Sequence, residues 1–232
     1  MRGVKYMNII IKFILFVFIQ VCISSEDLNT TNIKLPNEVR WVVKSSEYNI
    51  LSNQIYDSAW DNLSKTLESA DSKSCIVMDL DETVLDNSKY QIDLVHKNES
   101  YNPESWSVWV NLEMAKLVPG AKEFIDKVRK TNVKIIFLSN RMNKNLEPTI
   151  SNMKKLDIVS SDDIFLLRLD KQDKKNVRRN EISNGIGRLS KIGPLKVLAY
   201  FGDAKHDFPD VDDYYAFGKN MYMFPNPMYG KW

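Results

Sequence analysis

The sequence predicts an α/β fold, a parallel sheet with helices on both faces, and three observations lead to it. Short apolar segments of strand length alternate with longer segments whose apolar residues recur at helical spacing. The short segments are continuously apolar, which is typical of parallel strands that are buried on both faces. Three of them end in polar or acidic side chains, and open α/β sheets bind their ligands at that end of the strands.

The first 25 residues precede the predicted domain and have a different composition. Three basic residues, Arg2, Lys5 and Lys12, come before a run from Phe13 to Ile23 that is apolar except for Gln20, and Ser24 and Ser25 follow it. This arrangement predicts a signal peptide over residues 1–25, cleaved near Ser24 or Ser25, and an exported protein that is periplasmic, secreted or on the cell surface. A retained membrane anchor and a lipidated Cys22 are the alternatives. Residues 26–36 are then a linker.

The charge of the chain changes its sign when this segment is set aside. The whole sequence has 32 basic and 30 acidic residues, and residues 1–25 hold three of the basic ones and none of the acidic ones. The remainder therefore has 29 basic and 30 acidic residues, a net charge of −1. Such a balance gives no reason to expect binding to a nucleic acid polymer. Besides Cys22 the chain has only Cys75, so an exported protein would have no internal disulfide.

The N-terminal part of the predicted domain is helical. From Val39 to Leu67 the apolar residues recur at helical spacing, which predicts one or two amphipathic helices that pack on the domain. Cys75–Met78 then forms the first buried strand, and the carboxylates that begin at Asp79 bring the chain to the surface because a buried strand does not tolerate them. From Asn87 to Leu117 the apolar pattern is irregular.

The second half of the domain alternates helices with strands. One helix is predicted after Gly120, and another covers Leu146 to Leu156 with Pro148 near its first turn, where proline is tolerated. The charge run Asp170–Arg179 is predicted to be the solvated start of a further helix. The alternation predicts a parallel sheet that is covered on both faces. The strands predicted here are Val133–Leu138, Ile164–Leu167, Val197–Phe201 and, at the end, Met221–Phe224.

Polar side chains follow three of the predicted strands. Since the carboxyl ends of parallel strands share one edge of the sheet, we expect these side chains to lie together. Carboxylates that are close together raise each other's pKa, and a bound cation relieves this repulsion. Oxygen ligands without a Cys or His cluster suit a hard ion, for which Mg²⁺ is the natural candidate. The residues are Asp79 and Asp81, Ser139 and Asn140, and Asp203 and Asp207.

These residues carry a resemblance to a known family. The segment Asp79-Leu80-Asp81-Glu82-Thr83 resembles the D-x-D-x-T signature of phosphatases of the haloacid dehalogenase (HAD) superfamily, and Ser139-Asn140-Arg141 resembles their second motif. Lys175 with Arg178 resembles the third motif, and Gly202–Asp207 the fourth. Further segments are similar to the class C acid phosphatases, the secreted, lipoprotein-type branch called subfamily IIIB: Leu85-Asp86-Asn87, Trp106–Val110, Val118–Ala121 and Pro225–Gly230.

The resemblance implies a fold and an activity. The fold is a HAD-like Rossmannoid domain over residues 37–232, with N-terminal helices and a small cap segment at about residues 87–118. The activity is that of a magnesium-dependent acid phosphatase, which hydrolyses small phosphomonoesters and favours nucleoside monophosphates. A non-catalytic surface or storage protein on the same scaffold is one alternative, although the nucleophile is retained here. A phosphotransferase is another, and it would need an acceptor alcohol.

The resemblance also implies roles for individual residues. Asp79 is the nucleophile that forms an aspartyl-phosphate, and Asp81 is the general acid and base. Mg²⁺ is held by Asp79, the backbone carbonyl of Asp81 and Asp203. The remaining roles are phosphate binding by Ser139, Asn140 and Lys175, with Lys174 as the alternative lysine, and support by Thr83 and Asp207. The aromatic residues of the cap segment, Tyr90, Trp106 and Trp109, are candidates for substrate stacking, with ordinary packing of the cap as the alternative.

Two residues depart from the family pattern. Ala204 replaces the Asn that usually follows the first Asp of the fourth motif, which removes a hydrogen-bonding side chain beside a predicted metal ligand. Lys89 replaces a residue that is often Pro. The oligomeric state and a membrane tether at the N-terminus are left open by the sequence.

Overall fold

The computed structural model describes residues 34–210 and 214–230 of the chain, and five parallel strands form its central sheet. The strands are β1 (Ser74–Met78), β4 (Lys134–Met142), β5 (Ile164–Arg168), β6 (Lys196–Gly202) and β7 (Met221–Met223). They lie in the order β5-β4-β1-β6-β7. Two short strands, β2 (Leu85–Asp86) and β3 (Lys116–Leu117), pair antiparallel outside this sheet.

Seven α-helices of the described part surround the sheet. Of the one or two N-terminal helices predicted, the structure has two. They are separated at Ser45, whose side chain accepts a hydrogen bond from the Tyr48 N–H at 3.1 Å and so caps the second helix. The helices are α1 (Asn37–Lys44), α2 (Ser46–Ser69), α3 (Ser88–Lys97), α4 (Pro103–Leu112), α5 (Ala121–Val128), α6 (Leu146–Lys155) and α7 (Lys175–Asn184).

The core has two parts because the side chains of each strand alternate between the faces of the sheet. Ile76 and Met78 of β1 pack into one cluster with residues of α2, α5 and α6. Cys75 and Val77 pack into the other cluster, which includes Ile182 of α7. The prediction of a parallel sheet with helices on both faces is therefore confirmed, and the continuous apolar run of β1 reflects burial on both sides.

Strand β4 is longer than predicted. The sequence places its end at Leu138, whereas the strand continues to Met142 with an irregular register against β5 after Ser139. Burial alternates here, since Ser139 and Arg141 are buried and Asn140 between them is exposed. Polar residues do not end this strand because the two buried ones have hydrogen-bond partners inside the protein.

The segment of residues 87–118, which the sequence pattern leaves irregular, contains α3, α4 and the strand β3. Helix α4 has clear start signals, with Pro103 at its first position and the Asn102 side chain accepting from the Ser105 N–H at 2.7 Å. The helices are short, and each buries only a few residues, such as Leu94 in α3 and Trp109 in α4. The assignment of this segment as a cap stays a prediction.

The predicted signal peptide, the alternatives at Cys22 and most of the predicted linker lie outside the described residues. Within residues 34–210 and 214–230, no helix has both the length and the apolar character that crossing a bilayer requires.

Candidate active site

The three polar strand ends meet at one edge of the sheet, as the sequence predicts. The Asp79 N–H donates to the Phe201 carbonyl at 2.9 Å, which places the end of β1 beside the end of β6. Carboxylate oxygens of Asp79, Asp203 and Asp207 all lie within 4.8 Å of one another, and we call these three residues the carboxylate cluster. Asp207, predicted as a supporting residue, thus lies in the same cluster as the predicted metal ligand Asp203.

Lys175 supplies a positive charge to the carboxylate cluster. Its side chain is buried, and its Nζ contacts Asp79 and lies 2.5 Å from Asp207 Oδ1. The preceding Lys174 is exposed, so the structure favours Lys175 over Lys174 as the lysine of the site. The prediction of a solvated charge run is wrong at Lys175 and Arg178, because each reaches buried oxygen atoms from the first turn of α7.

The electrostatics of the cluster follow from three carboxylates sharing one ammonium. Burial, and then the charges of Asp207 and Asp203, raise the pKa of Asp79 well above its usual range against the opposing effect of Lys175. Burial and the Asp207 charge raise the pKa of Asp203 to about 7. Burial acts on Asp207 in the same way, but Lys175 outweighs it and lowers the pKa of Asp207. With all three carboxylates ionised, the cluster would therefore carry more negative charge than Lys175 neutralises.

The donor set of the cluster fits a hard divalent cation. All three side chains offer carboxylate oxygens, which Mg²⁺ prefers. Two of them are oriented by neighbours, since Asn226 Nδ2 donates to Asp203 at 2.7 Å and the Ala204 N–H donates to Asp207 at 2.9 Å. A Cβ at position 202 would lie 2.3 Å from the Asp207 Cβ, so only glycine permits this close approach.

The Asp81 side chain has different partners from Asp79. Arg141 donates to Asp81 Oδ1 from Nε at 2.9 Å and from Nη2 at 2.8 Å, and Asn87 Nδ2 donates to the same oxygen at 3.0 Å. Ser139 Oγ lies 3.4 Å from the other oxygen, Oδ2. The two aspartates of the first motif are thus separated in environment, and the Asp81 side chain does not belong to the carboxylate cluster.

The predicted phosphate-binding pair Ser139 and Asn140 is held by Arg178. This fully buried side chain donates to the Ser139 carbonyl at 2.5 Å and to Asn140 Oδ1 at 2.8 Å. The Asn140 amide nitrogen also lies 3.0 Å from His206 Nε2. Arg178 therefore holds the Ser139 carbonyl and the Asn140 side chain of the second motif, a role that its sequence spacing from Lys175 did not indicate.

The loop after β1 is organised by Glu82 and Thr83. Glu82 is buried at a φ of 58°, accepts from the Asn87 N–H at 3.0 Å and also accepts from the Tyr229 hydroxyl. The Thr83 carbonyl accepts from the Tyr56 hydroxyl at 2.8 Å, while its buried Oγ1 has no hydrogen-bond partner among the residues that the structure describes. Sequence reasoning gave no role to Tyr229, because its partner lies 147 residues away.

Of the three predicted stacking residues, the structure leaves only Trp106 partly open. Tyr90 and Trp109 are 4% and 3% exposed, and the Trp109 Nε1–H donates to Asn87 Oδ1 at 2.9 Å. The structure therefore does not support stacking by these two rings, because both are buried in the hydrophobic core. Trp106 is half-buried, and its ring centroid lies 5.8 Å from the Arg141 guanidinium carbon.

Comparison with known proteins adds a family and two related structures. Residues 22–232 match the family described as HAD superfamily, subfamily IIIB (acid phosphatase). A structure of the class C acid phosphatase from Bacillus anthracis with tungstate bound is 30% identical, with a TM-score of 0.70 over 83% of this chain and 84% of that chain. Another structure of the class C acid phosphatase from that organism is 29% identical, with a TM-score of 0.71 over the same shares of the two chains.

Proposed function

Since the chain belongs to the acid phosphatase family of HAD subfamily IIIB and is a phosphomonoester hydrolase, we propose a magnesium-dependent mechanism for it and an exported location. The proposed substrates are small phosphomonoesters, and family resemblance favours nucleoside monophosphates among them. The observation that carries the mechanism is the buried contact between Lys175 and Asp79 at the carboxylate cluster. This contact supports a nucleophilic role for Asp79, because the neighbouring ammonium of Lys175 can neutralise phosphoryl oxygens.

The first chemical step uses both aspartates of the first motif. An Asp79 carboxylate oxygen attacks phosphorus, the bond from phosphorus to the ester oxygen breaks, and Asp81 gives its proton to the departing oxygen. Ser139 and Lys175 bind the phosphoryl oxygens as charge spreads over them. The product of this step is an aspartyl-phosphate on Asp79 and the free alcohol.

The second step returns the enzyme to its starting state. Asp81 takes a proton from a water molecule, whose oxygen attacks the phosphorus of the aspartyl-phosphate. The bond from phosphorus to the Asp79 oxygen breaks, which frees the Asp79 carboxylate and releases inorganic phosphate. Because Asp81 has to be protonated while Asp79 is ionised, we expect an acid pH optimum. Mg²⁺, held by Asp79, Asp203 and the neighbouring Asp207 carboxylate, with the Asp81 backbone carbonyl that the resemblance implies, would neutralise phosphoryl charge.

Two further observations support parts of this proposal. The related structure from Bacillus anthracis has tungstate bound, and tungstate is a tetrahedral oxyanion like phosphate. The export proposal depends on the signal-peptide pattern of residues 1–25, and a retained or lipidated N-terminus would tether the same domain to a membrane.

Turnover of p-nitrophenyl phosphate from about pH 4 to about pH 8, with Mg²⁺ and with EDTA, tests the proposal. We expect turnover at acid pH that EDTA removes and Mg²⁺ restores, with phosphate released to water even when an alcohol is added. Asp79→Asn should abolish turnover, whereas the matched variant Asp126→Asn changes an exposed carboxylate of α5 and should not. Turnover by Asp79→Asn, or turnover that EDTA leaves unchanged, would contradict the proposal.

A further inference from the structure

Arg141 lies at the centre of a buried polar network beside Asp81. The guanidinium is 2% exposed, and besides its two bonds to Asp81 Oδ1 it donates to Thr149 Oγ1 at 3.1 Å and to Asn87 Oδ1 at 3.3 Å. Asn87 also donates to Asp81 and accepts from Trp109. We call Arg141, Asp81, Asn87, Thr149 and Trp109 the Arg141 network.

The two oxygens of Asp81 are treated unequally by this network. Oδ1 accepts three hydrogen bonds of 3.0 Å or shorter, two from Arg141 and one from Asn87. Oδ2 has only longer contacts, to Ser139 Oγ at 3.4 Å and Arg141 Nε at 3.3 Å. Since a carboxylate oxygen with three good donors has little capacity for a further partner, Oδ2 is the oxygen with room for a proton and a leaving group.

We propose that Arg141 and Asn87 are positioning residues for the reaction, and that they hold Asp81 so that Oδ2 is the oxygen that transfers the proton. This inference rests on the proposed function, in which Asp81 is the general acid. Through Trp109, which donates to Asn87 from α4, the same network connects the orientation of Asp81 to the predicted cap segment.

The chemistry of arginine suits this role better than that of lysine. The guanidinium is planar and presents its donors in a fixed fork, so the bonds from Nε and Nη2 set the plane of the Asp81 carboxylate as well as its position. The opposite side of the guanidinium is anchored on Thr149, whose hydroxyl donates in turn to the Asn145 carbonyl at 2.7 Å. A lysine at this position would keep the charge but lose the fork.

The test compares two substrates that differ in how much they need an acid. p-Nitrophenolate leaves readily without a proton, whereas the alkoxide of glycerol 2-phosphate needs one. The measured quantity is kcat/KM, because it covers the steps up to formation of the aspartyl-phosphate and omits its hydrolysis. The ratio of the two kcat/KM values is also independent of the fraction of folded enzyme in each preparation.

We expect Arg141→Lys to lower kcat/KM for glycerol 2-phosphate about 100-fold more than for p-nitrophenyl phosphate, as misplacement of a reacting group predicts. Trp109→Phe, which removes the Nε1–H, should change the ratio in the same direction by a smaller factor. The matched control is Arg129→Lys, because Arg129 forms a two-point contact with Asp163, at 2.9 and 2.8 Å, elsewhere in the domain. It should leave the ratio unchanged.

Asp81→Asn separates this inference from the proposed function. Suppose that Asp81→Asn selectively lowers kcat/KM for glycerol 2-phosphate while Arg141→Lys lowers kcat/KM equally for both substrates. Arg141 then has only a structural role, and the inference is overturned while the proposed function stands. If Asp81→Asn lowers kcat/KM equally for both substrates, or if the wild type turns over neither substrate, the proposed mechanism fails and the inference fails with it. A selective loss in Asp81→Asn and in Arg141→Lys, with an unchanged Arg129→Lys ratio, supports it.

Discussion

The carboxylate cluster and the Arg141 network each contain one aspartate of the first motif, and the two groups of residues differ in their balance of charge. In the carboxylate cluster, Asp79, Asp203 and Asp207 share the single ammonium of Lys175. In the Arg141 network, the single carboxylate of Asp81 receives a guanidinium and an amide. The carboxylate cluster thus has three acidic groups for one positive charge, whereas the Arg141 network has one acidic group for one positive charge.

The difference shows how two aspartates two residues apart can take different roles. Burial and neighbouring carboxylates raise the pKa of Asp79, and a further cation would relieve this repulsion. The Asp81 side chain, by contrast, already has a guanidinium and an amide of the protein as hydrogen-bond partners. We therefore expect changes in the carboxylate cluster to alter metal dependence, and changes in the Arg141 network to alter leaving-group dependence.

The largest expected effect comes from the nucleophile itself. Asp79→Asn removes the attacking oxygen, and loss of a covalent nucleophile costs about 10⁴-fold or more in kcat. Because this loss concerns bond formation to phosphorus, it should be equal for p-nitrophenyl phosphate and glycerol 2-phosphate. Steady-state kinetics on both substrates measure it. A loss that differs between the two substrates would contradict the assignment of leaving-group dependence to the Arg141 network alone.

Lys175→Met should separate catalysis from metal binding. Removal of the ammonium leaves the phosphoryl charge less neutralised, with a loss of about 10²- to 10³-fold in kcat as for one electrostatic donor. It also leaves three carboxylates without their internal cation, so the affinity for Mg²⁺ should rise. Calorimetric titration measures that affinity, and Lys174→Met is the matched control because Lys174 is exposed. Equal effects in the two variants would contradict the assignment of Lys175.

Sequence reasoning reached the sheet and the carboxylate cluster because both depend on local patterns. Strand β1 is a continuous apolar run, and parallel strands bring the residues that follow them to one edge. Buried charges were harder to predict. Lys175 and Arg178 stand in a charge run, and their burial depends on oxygen atoms from other strands and loops that become neighbours only in the folded chain.

The Arg141 network could not be predicted for the same physical reason. Arg141 and Asp81 are 60 residues apart, and their pairing depends on β4 continuing past Ser139 rather than ending there. Tyr229 and Glu82 pair over a still longer separation. The resemblance makes the aromatic residues of the predicted cap candidates for substrate stacking, yet burial decides whether a ring face is open, and Tyr90 and Trp109 are buried.

Asn226→Ala should weaken metal binding without removing a ligand. The Asn226 amide donates to Asp203 Oδ2 at 2.7 Å, and loss of such a supporting contact typically costs about 10- to 100-fold in metal affinity. At saturating Mg²⁺, kcat should return close to the wild-type value. Activity measured over a range of Mg²⁺ concentrations tests this, with Asn184→Ala, an exposed change at the end of α7, as control. A kcat that stays low at saturating Mg²⁺ would place Asn226 outside the metal site.

The smallest and most graded effect is the pH dependence of the carboxylate cluster. In the metal-free protein the pKa of Asp203 is raised to about 7, and that of Asp79 is raised as well, so below that pH Mg²⁺ has to displace at least one proton and its affinity should fall by about tenfold or more per pH unit. Calorimetry in two buffers with different ionisation enthalpies counts the protons released. The leaving-group ratio, which depends on the Arg141 network, should not respond to the Mg²⁺ concentration.

The raised pKa of Asp203 also predicts how the stability of the metal-free protein depends on pH. The unfolded chain releases the Asp203 proton near pH 3.9, about the usual value for Asp, whereas the folded, metal-free protein keeps it up to about pH 7. The folded state therefore binds more protons between these values, and its free energy of unfolding should decrease as the pH rises through this window. Thermal unfolding with EDTA should show a falling Tm, and Mg²⁺ should raise Tm most at the upper end. A Tm in EDTA that rises from about pH 5 to about pH 7 would contradict the prediction that repulsion within the carboxylate cluster destabilises the metal-free protein in this range.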